Sequence, residues 1–357
     1  MALGSTGAWI RHDVADPELR QPEDAIVRVG AVTICGADLD ALRGAVPTVD
    51  PARVPGHEAV GTVEQIGAGV RGLSVGDRVL VSCVTSCGRC RSCGIGAYGR
   101  CLDGGWLLGG KIDGTHAELV RVPHAAHSLH RLPDSVSDEN ALMLAEVVPT
   151  AYEAGTLAGQ VSPGDTVVIA GAGPMGLAAI TTSRLFTPRQ VLVMDSVPAR
   201  LEAALKAGAD YVLHTSNGSG SIVRAARGLT GGLGADVAID TDGTADTFER
   251  CAELLRPVGR LAAIGVHHLP ATPSLDSTRV KEITVTAGLV DTYTTSRLLG
   301  MVAAGLLELP DLVTHRFDLA ALPEAYDAFA RRAETGGLKV AAADSGIGVP
   351  RTAPTSR

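Results

Sequence analysis

The segment Asp165-Thr-Val-Val-Ile-Ala-Gly171-Ala-Gly173-Pro174-Met175-Gly176 constrains the fold of this chain more than any other. An apolar run, of the kind buried on both faces of a sheet, leads into G-x-G-x-x-G and then into a helical stretch over 174–185. The first glycine suits a tight turn, the second lets backbone approach a pyrophosphate, and the third lets helix pack on strand. Free N–H groups at the helix start would face the phosphates. A second strand, 190–194, ends at Asp195, 19 residues beyond Gly176, where a carboxylate can accept hydrogen bonds from ribose hydroxyls. A carboxylate there repels a 2′-phosphate, and no basic residue follows until Arg200, so NAD is favoured over NADP.

The same grammar continues downstream. A helix over 198–207, strands at 210–213, 235–240, 260–264 and 283–287, and helices at 245–255 and 294–304 alternate as in βαβ units with a parallel sheet. Before residue 138 the pattern differs. Segments 25–35, 59–66 and 76–84 alternate apolar and polar residues as half-buried strands do, between glycine-rich turns. With 357 residues, two domains are expected, and segment 344–357 reads as a flexible tail. Apolar residues make up 45% and aromatics 3%, so the core must be built from Ala, Val, Leu and Ile. No uninterrupted apolar run reaches membrane-spanning length, and the first residues lack the pattern of a secretory leader, so a cytoplasmic location is expected. A net charge of −8 without a basic patch argues against nucleic acid as a partner.

Four of the seven cysteines fall within fifteen residues, as Cys87-x2-Cys90-x2-Cys93-x7-Cys101. Such clustering in a long chain without a leader favours metal over disulfides. Four thiolates satisfy tetrahedral Zn²⁺ and leave no open position, so this zinc would be structural. A bacterial iron–sulfur run needs three residues before its fourth cysteine and a proline after it, whereas here there are seven and then Leu102.

Other candidate ligands are Cys35, His57, Glu58 and Glu146, none compelling alone. They sit among motifs that carry a resemblance. Gly56-His-Glu-Ala-Val-Gly-Thr-Val-Glu-Gln-Ile-Gly67, Val75-Gly-Asp-Arg-Val79, the four-cysteine lobe, the Gly171–Gly176 turn and Gly288-Leu-Val-Asp-Thr-Tyr-Thr-Thr295 resemble the zinc-dependent, medium-chain alcohol dehydrogenase family. The likeness spans roughly residues 8–343 in the family's order and spacing. It implies an α/β chain: a GroES-like β-rich catalytic domain, 1–147 and 291–343, and a Rossmann doubly wound parallel-sheet cofactor domain, 148–290.

The resemblance also implies two zinc ions per chain, one structural and one catalytic. The catalytic ligands carry over to Cys35, His57 and Glu146, with Asp38 orienting the histidine and Glu58 able to approach the zinc. Three protein ligands leave a position open, where an alcohol or carbonyl oxygen is polarised while hydride passes to or from nicotinamide. Thr150, four residues after Glu146, would pack on the nicotinamide. Main-chain groups of Gly265 and Val266 would meet its carboxamide, Val290 belongs to the same site, and Lys339 would contact the phosphates. The implied partners are small alcohols, aldehydes, ketones or activated alkenes, and a second copy or more of the chain, as homodimer or homotetramer.

Two positions depart from the family. It places Ser or Thr two residues after the ligand cysteine, and often His five after, as a proton relay; here those are Ala37 and Asp40. Alanine cannot relay a proton, and Asp40 needs a water to span the gap. Reduction of an activated C=C or C=N bond needs no such relay and is an alternative reading. A nucleotide-binding protein without catalysis is a third, disfavoured by the ligand set. Trp106 falls in the family's substrate-facing loop, although packing explains it as well. His124, His127 and His130 read as solvated surface and Cys251 as core; Cys83 aligns with a pocket-wall position of the family, although a small buried residue explains it as well, and the role of His267-His268 is open.

Overall fold

The computed structural model describes residues 2–3, 9–43, 53–217, 219–266 and 279–344; His267-His268 and the tail beyond 344 lie outside them. The chain divides into two compact units, Val147–Val290 with Ala304–Pro310, and Met1–Glu146 with Asp291–Ala303 and Asp311–Arg357.

The first of these is a parallel sheet of six described strands. In chain order they are Thr166–Ala170, Gln190–Asp195, Tyr211–His214, Ala235–Asp240, Leu255–Ala263 and Thr284–Ala287, and in space they lie 3-2-1-4-5-6. Strands 166–170 and 190–195, side by side in the sheet, are buried at every residue, which is why their middles read as apolar runs. The order reverses between 166–170 and 235–240, and in such sheets the ligand crevice lies outside the strand ends at that switch point. Helices Pro174–Arg184 and Pro198–Lys206 both begin on proline, whose missing N–H is no loss in a first turn. Helix Ala245–Leu254 is opened by a Thr244/Thr247 capping box and buries Phe248, Cys251 and Leu254 on one face. Helix Ser219–Leu229 was not legible from its glycine- and serine-rich start. Residues Ala151–Leu157 form a wider π-helix.

The second unit carries a largely antiparallel sheet in which Ala25–Thr33 pairs with Ala59–Ile66, Leu119–Val122 and Lys339–Ala343. Its core is Val- and Ala-rich, with Val27, Val29, Val63, Val79, Val81 and Val122 packed under Tyr326 and Phe329. The C-terminal strand Lys339–Ala343 sits beside the end of strand Ala25–Thr33, Ala341 opposite Thr33, and Ile34 N–H donates to Val340 O at 3.1 Å. That register delivers Lys339 to the segment bearing Cys35. Sequence periodicity gave no sign of this closing strand or of helix Leu322–Ala330 before it.

Candidate active site

Asp38 organises the mixed centre. Cys35 precedes the short helix Gly36–Leu42, and its N–H donates to Asp38 Oδ2 at 2.8 Å, closing that helix's first turn. The other carboxylate oxygen accepts from Gly56 N–H at 3.1 Å and lies 3.4 Å from His57 Nδ1. One buried carboxylate therefore ties two ligand-bearing segments together and turns His57 Nε2 the other way, 3.1 Å from Glu146 Oε2. Glu146 lies in the turn between helices Asp138–Met143 and Val147–Thr150, held where Cys83 N–H donates to Ala145 O at 3.3 Å. The donor atoms of Cys35, His57 and Glu146 all fall within 4.8 Å of one another.

The electrostatics suit a cation. Burial opposes charge on His57, yet Asp38 and Glu146 outweigh it and raise its pKa well above the usual value. Burial also works against the Glu146 carboxylate, but His57 beside it holds it down to about 2. Burial, with Glu146 adding, pushes the Cys35 thiol up to about 11. Glu58 is fully buried; its Oε2 accepts from Thr33 Oγ1 at 2.5 Å and from Lys339 Nζ, while Oε1 has no partner. A thiol, an imidazole and a carboxylate converging, with an orphaned carboxylate oxygen in the adjacent residue, fit a divalent borderline metal such as Zn²⁺. Lys339, expected on cofactor phosphates, is buried and paired with Glu58.

The thiols of Cys87, Cys90, Cys93 and Cys101 also lie within 4.8 Å of one another, with S···S separations of 4.0 Å for Cys87–Cys93, 3.5 Å for Cys90–Cys93 and 3.9 Å for Cys90–Cys101. Tetrahedral ligation at a Zn–S distance of about 2.3 Å requires about 3.8 Å between sulfurs, whereas a disulfide requires about 2 Å. The seven cysteines form no disulfide.

In the parallel-sheet unit, Gly171 takes φ +92°, and a Cβ there would lie 2.7 Å from Thr241 Oγ1. A Cβ on Gly176 would lie 1.9 Å from Gly171 O, whereas one on Gly173 meets nothing within 4 Å. Turn and helix are thus locked together, while the second glycine opens on space that a phosphate can fill. Asp195 accepts from Ala172 N–H at 2.7 Å and Val197 N–H at 2.8 Å, and Arg200 Nη1 is 4.0 Å away. Gly265 N–H donates to Asp240 O at 3.0 Å, and a Cβ on Gly265 would strike Gly243. Val266 is exposed, and Thr150 and Val290 are buried.

Comparison with known proteins agrees with this geometry. Residues 21–134 match the alcohol dehydrogenase GroES-like domain, and 174–303 match the zinc-binding dehydrogenase domain. An alcohol dehydrogenase of Cupriavidus necator is 34% identical over 352 residues, covering 90% of this chain and 92% of its own length. Among solved structures, zinc dependent alcohol dehydrogenase 2 from Streptococcus pneumonia superposes with a TM-score of 0.89, 40% identity and 96% coverage of each chain. Alcohol dehydrogenase TADH from Thermus sp. ATN1 gives 0.85 at 35% identity, covering 93% of this chain and 96% of its own. The chain belongs to the zinc-dependent medium-chain alcohol dehydrogenase family. It is an oxidoreductase, and a protein without catalysis is no longer a viable reading.

Trp106, expected in the substrate-facing loop or in packing, stands edge-on to His57, ring centroids 6.5 Å apart, and so borders the cluster of Cys35, His57 and Glu146. Thr33, His116 and Tyr326, none singled out by a motif, are buried around it. Of the three histidines after Pro123, expected as solvated surface, His127 is exposed, whereas His124 and His130 are partly buried. His124 hydrogen-bonds Asp103 O at 2.5 Å, the His127 ring covers Gly88, and the His130 ring is enclosed, with Nδ1 3.0 Å from Ser296 Oγ. Cys83 and Cys251 are core residues, both fully buried.

Proposed function

We propose that the chain transfers hydride between NAD(H) and an alcohol or carbonyl substrate, with a catalytic zinc on Cys35, His57 and Glu146 and a structural zinc on Cys87, Cys90, Cys93 and Cys101. The convergence of the three mixed donors, with Asp38 behind His57, carries this reading. A zinc held there supplies a Lewis acid for the substrate oxygen, and NAD the two-electron acceptor.

The chain's own residues supply orientation. Asp38 fixes the tautomer of His57 by accepting from Nδ1, so that Nε2 is left for the metal. Thr33 and Lys339 hold Glu58 beside the ligands without adding a fourth permanent one. Trp106 shields one side of His57 from water and offers an apolar wall to a substrate. In the cofactor unit, the opening at Gly173 receives the pyrophosphate, and Asp195 with Arg200 receives the adenosine ribose. Thr150, Gly265, Val266 and Val290 belong to the nicotinamide end of that site.

Proton movement is where this chain differs. Ala37 has no atom that can carry a proton, so Asp40, one turn further along helix Gly36–Leu42, must act through water. That substitution favours, as a second reading, reduction of an activated double bond.

The exposed edge strand Thr284–Ala287, with Val285 and Leu289 also open, supports assembly into a dimer or tetramer. Among the described residues no helix is long and apolar enough to cross a membrane, and we place the enzyme in the cytoplasm. A panel of alcohols, aldehydes, ketones and enals, run in both directions with NAD and NADP alongside a zinc count, tests the proposal. Two zinc ions and NAD-linked turnover are expected. One zinc and no turnover on any class would refute it.

A further inference from the structure

We infer that His116 is a positioning residue for the metal centre, clamping the loop that bears His57 against the strand that leads to Cys35. The inference rests on the proposed metal role of Cys35, His57 and Glu146.

The loop Pro55-Gly56-His57 gets its place from outside. Gly56 lies at φ +98°, and a Cβ there would come 2.5 Å from the His116 ring and 2.6 Å from Thr115 Oγ1. The ring therefore rests on the backbone immediately before the ligand, where no other residue than glycine fits. Three main-chain bonds hold the two segments together: Gly114 N–H to Val54 O at 2.7 Å, His116 N–H to Pro55 O at 3.0 Å, and Thr115 N–H to Gly56 O at 3.0 Å.

The side chain then reaches two further elements. His116 Nε2 is 3.2 Å from Thr33 O, two residues before Cys35, and Nδ1 is 2.7 Å from the Tyr326 hydroxyl on helix Leu322–Ala330. A carbonyl only accepts, so Nε2 must donate to Thr33, and Nδ1 must accept the Tyr326 O–H. A single tautomer satisfies both ring nitrogens and the carbonyl. Burial holds the ring neutral by lowering its pKa and keeps Tyr326 protonated by raising the phenol's. His116 is 4% exposed and both partners 0%, so water is poorly placed to take over either bond. The Thr33 hydroxyl continues the chain to Glu58, next to the ligand His57. Loss of the imidazole would remove the one side chain that joins the ligand loop, the strand end and the helix, leaving the loop on its main-chain bonds and on Asp38.

The test is zinc release from the full-length, zinc-loaded protein to a chelator, with the cysteine lobe as internal control. Two phases are expected from the unmodified chain, and Cys35→Ser identifies one by abolishing it. His116→Phe keeps the bulk and removes both bonds. It should weaken zinc binding at the centre about ten-fold, the low end for residues behind metal ligands, and leave the lobe phase unchanged. The spectrum of Co²⁺ at the centre should change with it. His116→Gln, which offers an N–H to Thr33 and an oxygen to Tyr326, should restore most of the affinity. Tyr326→Phe should have a smaller effect and add nothing to His116→Phe. Unchanged affinity and Co²⁺ spectrum in folded His116→Phe would overturn the inference alone; if that variant does not fold, the same result in Tyr326→Phe does so. An unmodified chain that shows only the lobe phase, unaffected by Cys35→Ser, would overturn the metal reading and this inference together.

Discussion

Asp195 should make this enzyme prefer NAD(H) over NADP(H) by about 10- to 100-fold, and the geometry sets the scale. The carboxylate is 8% exposed and fixed by two main-chain donors, so it cannot swing away from an incoming phosphate. At about 5 Å and an effective dielectric constant of about 20, each pair of unit charges repels by about 3 kcal/mol. Arg200, 4.0 Å from the carboxylate, attracts the same phosphate and cancels part of this. A net 1.4–3 kcal/mol remains, roughly ten- to a hundredfold in affinity. Asp195→Ala removes the repulsion and leaves Arg200 for the 2′-phosphate, so the preference should shrink about ten-fold or reverse. NADH binding should weaken as the ribose loses an acceptor, and stability should fall because the N–H groups of Ala172 and Val197 lose theirs. Dissociation constants for NADH and NADPH, by calorimetry on both proteins at one ionic strength, provide the ratio. Equal affinity of the unmodified enzyme for both cofactors would refute the argument. So would an unchanged ratio in a folded Asp195→Ala protein.

Three further outcomes are expected. Cys93→Ser removes one of four converging thiols, so metal analysis should find one zinc fewer and a thermal melt should move down by several degrees; full zinc with an unchanged melt would count against a structural lobe. Ala37→Ser combined with Asp40→His should raise oxidation of a saturated alcohol, since a positioned relay contributes about 10²–10⁴-fold, and should shift its pH profile; if the enzyme is a double-bond reductase, enal reduction will not respond. Burial, with His127 adding, pushes His130 down to about 4, below its usual value of about 6.5, so the unfolded chain binds more protons between those values. The stability that goes with the neutral ring is present above about pH 6.5 and lost as pH falls towards 4, on the order of 2–3 kcal/mol, and His130→Gln should lose less between pH 7 and 5 in denaturant melts.

The cofactor unit was legible because its chemistry and its packing use the same residues. Gly171 and Gly176 are required both by the turn and by helix packing, and Asp195 ends a strand that is buried throughout. The proposed ligands Cys35, His57 and Glu146 are readable through family motifs, not through local pattern, since each sits at a strand end, a loop or a turn without periodicity. Asp38 too is readable only through that resemblance, and Lys339 reaches Glu58 across 281 positions by strand pairing that no local signal announces. His116 and Tyr326 are 210 positions apart, and each reads as an ordinary residue until the sheet closes. Helix Ser219–Leu229 opens on glycine and serine, poor helix formers, and is held by Ile222 and Ala226 packing into the core beside the sheet.

The cysteine lobe has little besides metal to hold it. Its regular structure is a four-residue helix, Arg91–Gly94, and a single turn at Tyr98–Arg100, both far too short to be stable alone. Its apolar side chains do not close a core, since Ile95 and Leu102 are each 79% exposed. What organises the segment is four sulfurs drawn to one point, together with His124 on Asp103 and His127 on Gly88. Yet the lobe grips something of consequence. Gly99 N–H donates to Asp291 Oδ1 at 2.8 Å, Arg100 Nη1 lies 3.4 Å from the same oxygen, and Asp291 is the first residue after the parallel-sheet unit ends at Val290. Ser82 and His130 hold Thr292 and Ser296 just beyond. A metal that folds residues 87–101 therefore also fixes the point where the chain re-enters the catalytic unit. On this arrangement a zinc in the lobe would hold the segment 291–296 as well as its own loop. Cys93→Ser should accordingly speed amide exchange at 291–296 as well as within the lobe, and protection retained at 291–296 would confine the zinc's influence to the lobe itself.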